Sequence, residues 1–403
     1  MKFINLVLIF ANLAFANALQ EAINSAKNGD IIELGSGVYE GDIVINKSIT
    51  LKGLDKNAVI KGSGKGNVIK IIAPNVRILN LTIENSGDSH TYLDAGIKCE
   101  KANNIEISQN RIKNALYGID MQECSGAKIT HNEISSKPVA TALRGDGIRL
   151  WYSHDNIMEE NFIHEVKDMV IWYSSNNQIR KNRGTNSRYS LHFMYAGQNL
   201  VEQNEFEGNS VGMFFMYSRD CVVRENRVFN SHGAYGVGIG MKDTGNFIIE
   251  NNTLSHNARG FYLDQSPFQP GHKNIFRKNQ ILYNTIGVQL HATLHESRFE
   301  NNDFIGNLDI AVNDTPGAAI SKVSWEQNYF DDFEGFDSDK NGFGDTPYQN
   351  YAYFDTLWQY YPNMRFFYGT SAMSILNFIA KLAPFSEPEL ILTDEKPKTE
   401  PNL

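Results

Sequence analysis

Ten short segments, ISQNRI, ITHNEI, MEENFI, IRKNRG, VEQNEF, VRENRV, IENNTL, FRKNQI, FENNDF and WEQNYF, recur along the chain and put an asparagine at positions 110, 132, 161, 182, 204, 226, 252, 279, 302 and 328. Their separations run from 21 to 29 residues. A repeat of this size marks a solenoid with one unit per turn, because each unit can bury its apolar side only against its neighbours. The units contain short runs alternating apolar and polar residues, broken by Asn, Gly, Ser or Asp, which is the pattern of strands joined by tight turns. Helical periodicity and a leucine scaffold are both missing. An Asn at each corner suits a left-handed backbone, and amides stacked once per coil can hydrogen-bond in a ladder. The pattern predicts an all-β protein, a right-handed parallel β-helix.

A second landmark sets which side chains point inward. Gly96, Gly118, Gly147, Gly212, Gly238, Gly260 and Gly287 precede the asparagines, with Asp168 and Ser190 in the same slot of the remaining coils. Side chains alternate sides along a strand. The first and third residues after the slot, from Ile97 and Cys99 to Val288 and Leu290, are all apolar and are therefore expected inside. The second and fourth should then face solvent. In four consecutive coils these are Arg149 and Trp151, Val170 and Trp172, His192 and Met194, Phe214 and Met216, with a fifth-position column of Tyr152, Tyr173, Tyr195 and Tyr217.

Such a stripe is not an ordinary solvated face. With coils about 4.8 Å apart, Met194 and Met216 are expected to stack with His192 beside them, a soft donor set suited to Cu(I) rather than Zn, Ca or Mg. A contact surface for a partner protein explains the stripe equally well, with Arg149, Trp151, Trp172, Tyr195, Phe214, Tyr217, Lys242 and Asp243 as its residues. Two other readings compete: a covering loop that turns the stripe into core, and a polysaccharide platform on Trp151 and Trp172. Lyase or epimerase chemistry would need a base or a carboxylate pair beside the platform. The nearest acids, Glu100, Asp120 and Asp264, lie in flanking coils, and Asp243 next to Lys242 reads as an ion pair. No catalytic residue is assigned.

The chain ends carry their own signals. Residues 1–18 have one Lys, an apolar run from Leu6 to Ala11 and small-x-small endings, as in a secretory leader. Residues 19–330 form the solenoid, opened by an amphipathic cap with Leu19, Ala22, Ile23 and Ala26 on one face. Three cysteines without CxxC spacing give neither a disulfide framework nor a cysteine metal site. A net charge of −9 excludes a nucleic-acid partner.

Within the exit segment 331–350, the run DSDKNGFGD places Asp337, Asp339, Asn341, the carbonyl of Phe343, and Asp345 at calcium-loop spacing. Tyr348 stands where that loop would have its bidentate Glu. Residues 351–386 form an aromatic-rich appendage. Its helix from Ser371 has Ala372, Ile375, Leu376, Ile379 and Leu382 on one face, fit either to cap the last coil or to dock on a membrane partner, with Ser371 as N-cap. Residues 387–403, rich in Pro, Glu and Lys, read as disordered.

Six blocks in order, GDGIRLWYS, SLHFMYA, VGMFFMYS, GIGMKD, DSDKNGFGD and RFFYGTSAMSILNFIAKLAPF, resemble the nitrous-oxide reductase maturation family called NosD, periplasmic parallel β-helices of the carbohydrate-binding-and-sugar-hydrolase type. The resemblance implies a periplasmic accessory protein that does no bond chemistry. It also implies partners: an ABC transporter of ATPase and membrane permease, a copper-chaperone lipoprotein, and nitrous-oxide reductase as beneficiary. It does not fix copper ligands. His192, Met194 and Met216 therefore rest on facing and ligand softness alone.

Overall fold

A computed structural model of the chain describes residues 6–9, 18–233, 236–315, 318, 320–352, 361–367, 370–382 and 388–402. Contacts divide the chain into two compact units, Met1–Phe206 and Glu207–Leu403. In each unit most coils contribute one strand to each of three parallel sheets, as the repeat predicts.

In the first unit the sheet that follows the slot residues is built from Ile69–Ile71, Ala95–Glu100, Tyr117–Gln122, Ile148–Trp151, Asp168–Trp172 and Tyr189–Met194, among others. Call this the slot sheet. In the second unit it contains Val211–Met216, Val237–Lys242, Arg259–Asp264, Ile286–His291 and Asp309–Asn313. Every residue predicted to point inward is fully enclosed, from Ile97 and Cys99 to Val288 and Leu290. The slot needs glycine because successive coils approach too closely for a side chain: a Cβ on Gly118 would lie 2.4 Å from the Gly147 carbonyl oxygen. The two cores differ in kind. The first is mainly aliphatic, whereas the second stacks Phe276 on Phe299 and Phe299 on Trp325, each pair at 4.4 Å.

The asparagine ladder forms. In the first unit Asn110, Asn132, Asn161 and Asn182 each donate from Nδ2 to Oδ1 of the asparagine one coil further on, at 2.9–3.1 Å, the last to Asn204. The same Oδ1 atoms accept the backbone N–H of the preceding rung, so each buried amide is satisfied by its neighbours. In the second unit the ladder runs from Asn226 through Asn252, Asn279 and Asn302 to Asn328. The ladder residue does not take the left-handed backbone, contrary to the sequence expectation. Its predecessor does: Gln109, His131, Glu160, Lys181 and Gln203 have φ of 52–58°. The corner thereby sends an exposed side chain out and swings the next amide into the core. A second ladder, Asn156–Asn177–Asn199 in the first unit and Asn257–Asn284–Asn307 in the second, escaped the sequence reading.

The helix Ala18–Ser25 buries Leu19 and Ile23 at the start of the solenoid. Of the predicted leader, Leu6–Ile9 pairs in parallel with Ile31–Leu34, and its other residues up to 17 lie outside the described set. No described helix is long and apolar enough to cross a membrane.

The tail expected to be disordered is ordered from residue 388 to 402. Its strand Glu389–Asp394 pairs antiparallel with Tyr348–Ala352 and in parallel with Val323–Glu326. Asp394 supplies the terminal rung of the ladder, its Oδ2 accepting Nδ2 of Asn328 at 3.0 Å and the backbone N–H at 2.9 Å. Composition misled because a short strand that buries Ile391 and Leu392, together with one carboxylate and backbone pairing, holds this segment.

The helix Ser371–Leu382 is capped by Thr370, whose Oγ1 accepts the Met373 N–H at 3.3 Å, and not by Ser371. It buries Met373 and Ala380, while Ile375, Leu376, Ile379 and Leu382 stay exposed. Its apolar face is therefore not the one turned inward. Of the aromatic residues before it, Tyr353, Phe354, Trp358 and Tyr360 lie outside the described residues.

Candidate functional site: the outer face of the slot sheet

On the outer face of the first unit, the fourth and fifth columns are open and aromatic. Trp172 pairs in register with Trp151 on one side and Met194 on the other, and all three are partly exposed. Tyr152, Tyr173 and Tyr195 stack on one another at 4.9 and 5.0 Å with rings within 9° of parallel. All three take the left-handed backbone, φ 45–51°, at a corner that earlier coils give to Lys101 and Glu123. A bulky aromatic is unusual in that conformation. Three in a row form a ladder in which Tyr152 and Tyr195 are 44% and 47% exposed. The Arg149 guanidinium lies 5.7 Å from the centre of the Trp172 ring, and the Trp172 indole N–H is buried without an acceptor.

The second column is not open, which corrects the expectation that it faces solvent. Val170 is 7% and His192 8% exposed. Parity sends these side chains outward as predicted, but neighbouring side chains enclose them: His192 lies against Asp168 and the edge of Tyr189. The loop around residues 86–94 and the excursion 136–147 interlock: Lys137 donates to the Ser86 carbonyl, and His90 bridges the Tyr117 hydroxyl and the Leu143 carbonyl, both at 3.2 Å.

Beneath and beside these loops lies a polar network that sequence reasoning missed. Asp120, fully buried, accepts Arg149 at 2.8 Å and faces Lys98 at 3.6 Å. Asp168 accepts both arms of the Arg188 guanidinium, and its Oδ2 lies 3.3 Å from His192 Nδ1. Tyr189 packs edge-on against His192 and beneath Arg188. Despite burial, Arg188 holds the Asp168 carboxyl below its ordinary value. Burial, then the charge of Asp168, pushes the Asp146 carboxyl up to about 7. Sequence reading had treated Asp168 as an irregular slot residue; an acid in a position otherwise glycine or serine was the available signal.

In the second unit Phe214, Met216 and Lys242 are partly exposed and Tyr217 is 38% exposed. Phe214 packs over Gly240, where a Cβ would lie 2.4 Å from its ring. Lys242 binds Asp264 at 2.7 Å and not Asp243, whose Oδ1 is buried without a partner. The fourth column continues to His291, whose Nδ1 lies 2.7 Å from Asp314 Oδ1 and 3.1 Å from Thr315 Oγ1. The side chain of His291 is 40% exposed. The count from Gly287 that would have found it is the one that selected Trp151 and Met216.

The three expected copper donors divide between the units, His192 and Met194 in the first and Met216 in the second. Among the described residues no three His, Cys, Asp or Glu side chains converge as a metal cage. The thioethers of Met194 and Met216 are soft and reachable, whereas the His192 imidazole is enclosed.

In the calcium-like loop Asp337 accepts the N–H groups of Asn341 and Gly342, Asp339 that of Asn341, and Asp345 that of Ser338. Gly342, Phe343 and Gly344 lean on the tail, the Gly344 N–H donating to the Pro397 carbonyl at 2.9 Å. Tyr348, in the twelfth position, is core: it stacks on Phe330 at 3.9 Å. The three cysteines are buried and unbridged.

Solved structures share this architecture. The A-module of mannuronan C-5 epimerase AlgE6 from Azotobacter vinelandii superposes with a TM-score of 0.58 at 15% identity, over 73% of this chain and 90% of that one. The catalytic domain of a variant of a GH87 alpha-1,3-glucanase in complex with nigerose gives 0.66 at 14%, over 80% and 68%. At such identities the likeness is one of fold.

Sequence relatives are more specific. A protein of Pseudomonas aeruginosa named as a probable ABC transporter binding protein NosD is 26% identical over 374 residues, 87% of this chain and 84% of that one. Its namesake from Stutzerimonas stutzeri is 27% identical over 389 residues, 91% and 88%. The family model described as periplasmic copper-binding protein (NosD) matches residues 130–335, just over half of the chain and most of the face described above, and the chain belongs to that family.

Proposed function

We propose that this chain is a periplasmic accessory protein for the maturation of nitrous-oxide reductase, working with an ABC transporter in copper delivery or copper-site assembly and catalysing no reaction itself. The observation that carries this reading is the open aromatic and thioether surface on a family described as copper-binding: Trp151, Trp172, Met194 and the tyrosine ladder in the first unit, Phe214, Met216 and Tyr217 in the second. Exposed columns of this chemistry are characteristic of contact sites, where Trp, Tyr and Met carry much of the binding energy. Copper is cargo here, and thioethers suit Cu(I).

The polar network supports a structural role over catalysis. Lys98 and Arg149 both neutralise Asp120, and Arg188 neutralises Asp168, so the cations that would hold an acidic sugar are already matched by carboxylates. The exposed Ile375, Leu376 and Ile379 suit an apolar contact with the ABC transporter that the relatives' names point to. Calcium at Asp337, Asp339, Asn341, Phe343 and Asp345 is proposed as a brace between the last coil and the tail.

Cu(I) titration of the protein, alone and with a copper-loaded donor, tests the reading. Uptake that falls on replacing His192, Met194 and Met216 with Ala is expected; no uptake in either mixture would remove copper handling. Trp151→Ala with Trp172→Ala should abolish complex formation with a partner. Release of unsaturated or epimerised uronates from a polysaccharide would instead establish an enzyme.

A further inference from the structure

Resting on the copper-handling reading, we propose that His291 offers copper an accessible, carboxylate-oriented imidazole in the second unit, with Asp314 and Thr315 as its positioning residues. Asp314 accepts at Nδ1 from 2.7 Å, which places the ring proton there and the lone pair of the neutral ring on Nε2. Thr315 completes the clamp: its hydroxyl reaches Asp314 Oδ1 and His291 Nδ1, both at 3.1 Å, and accepts the Ala292 N–H at 3.0 Å. Gln289 also donates to Asp314. A carboxylate behind a histidine is the arrangement that orients and strengthens an imidazole ligand.

Nε2 makes no hydrogen bond to any described residue, and the side chain is 40% exposed, against 10% for His192. The surroundings favour a cation. Asp264 is the register partner of His291 on the preceding coil, and Asp243, Asp264 and Asp314 outnumber Lys242 and Arg259. Lys242 is already bound to Asp264, and the buried Oδ1 of Asp243 lacks a donor. An imidazole suits copper, while calcium and magnesium require oxygen shells. One imidazole is an incomplete site, so His291 serves an ion whose remaining donors arrive with the partner that hands it over.

The full chain is titrated with Cu(I) buffered by a chromophoric chelator, while ¹⁵N NMR reads the histidine rings. Expected results are a His291 Nε2 resonance that moves on Cu(I) addition, affinity at least 10-fold weaker in His291→Gln, and a 10- to 100-fold loss in Asp314→Asn. Asp314→Asn should also shift the free ring towards the other tautomer, a change that altered folding elsewhere would not produce. Copper uptake by the wild-type chain with an unmoved His291 and an unaffected His291→Gln variant would overturn this inference and leave the functional reading standing. No uptake by the wild-type chain would instead overturn the reading on which it rests.

Discussion

Two aspartate–histidine pairs sit on the outer face of the slot sheet, one in each unit, and their surroundings differ. In the first unit His192 and Asp168 are enclosed and share their charge with Arg188, whereas in the second His291 is open and Asp314 is steadied by Thr315 and Gln289. The difference follows from position along the strand. His192 is the second residue after its slot, as is the buried Gln289, while His291 is the fourth. An outward-pointing side chain is thus exposed at the fourth position of these strands and enclosed by its neighbours at the second. The enclosed pair suits a structural role, the open pair an exchangeable one.

The comparison can be broken most directly by removing each acid. Asp168→Ala leaves the enclosed His192 and the partly exposed Arg188 without their shared acceptor and should cost about 2–3 kcal/mol, whereas Asp314→Ala should cost about 1 kcal/mol or less. Denaturant unfolding of the two variants measures both, and equal losses would erase the distinction. Next in size, Asp394→Ala removes the acceptor that ends the second unit's ladder, leaving the Asn328 amide short of a partner at about 2 kcal/mol. Hydrogen exchange should then rise around Asn328 and not at the ladder of the first unit.

Protonation sharpens the contrast further. Asp146, beside the enclosed pair, has its carboxyl raised from 3.8 to about 7 by burial and then by Asp168. The folded state binds the extra proton between those values, so the contribution of Asp146 to stability should fall as pH climbs from about 4 through about 7. Asp146→Asn should flatten that fall, read as melting temperature against pH; an unchanged profile would show that Asp146 does not hold the proton.

The open pair behaves oppositely at the histidine. Its hydrogen bond to Asp314 raises the His291 pKa, so the pair's contribution is full below the ordinary value of 6.5 and fades as pH rises through the folded value. At the acid end, despite burial, His291 holds Asp314 below 3.8, and that contribution is lost as pH falls through the lowered value. Because the ring is partly solvated, the effect should stay under about 1 kcal/mol and shrink in high salt. The wild-type minus His291→Gln difference in melting temperature across pH 6–9 measures it.

Much of the frame was legible because it repeats. The ten asparagines marked the coils, the glycine slot set the parity, and every residue assigned to the interior on that basis is enclosed. The open aromatic column was legible for the same reason: Trp151, Trp172 and Met194 follow from counting in twos. Tyr348 shows the limit of motif reading. Its calcium-loop spacing hid that the twelfth position had been taken by an aromatic core stack ending on Phe330.

The amino-acid order by itself determined the coil, the rungs and the inward side, since each is a local periodicity that one strand and one corner encode. Tertiary structure decided what covers the outward side and which polar groups meet. Lys137 finds Ser86 across 51 residues, and Asp394 finds Asn328 across 66. Those meetings depend on how the excursions between strands fold back over the sheet and how the tail returns to the last coil. Such contacts are set by the packing of distant segments, for which no repeat carries a signal.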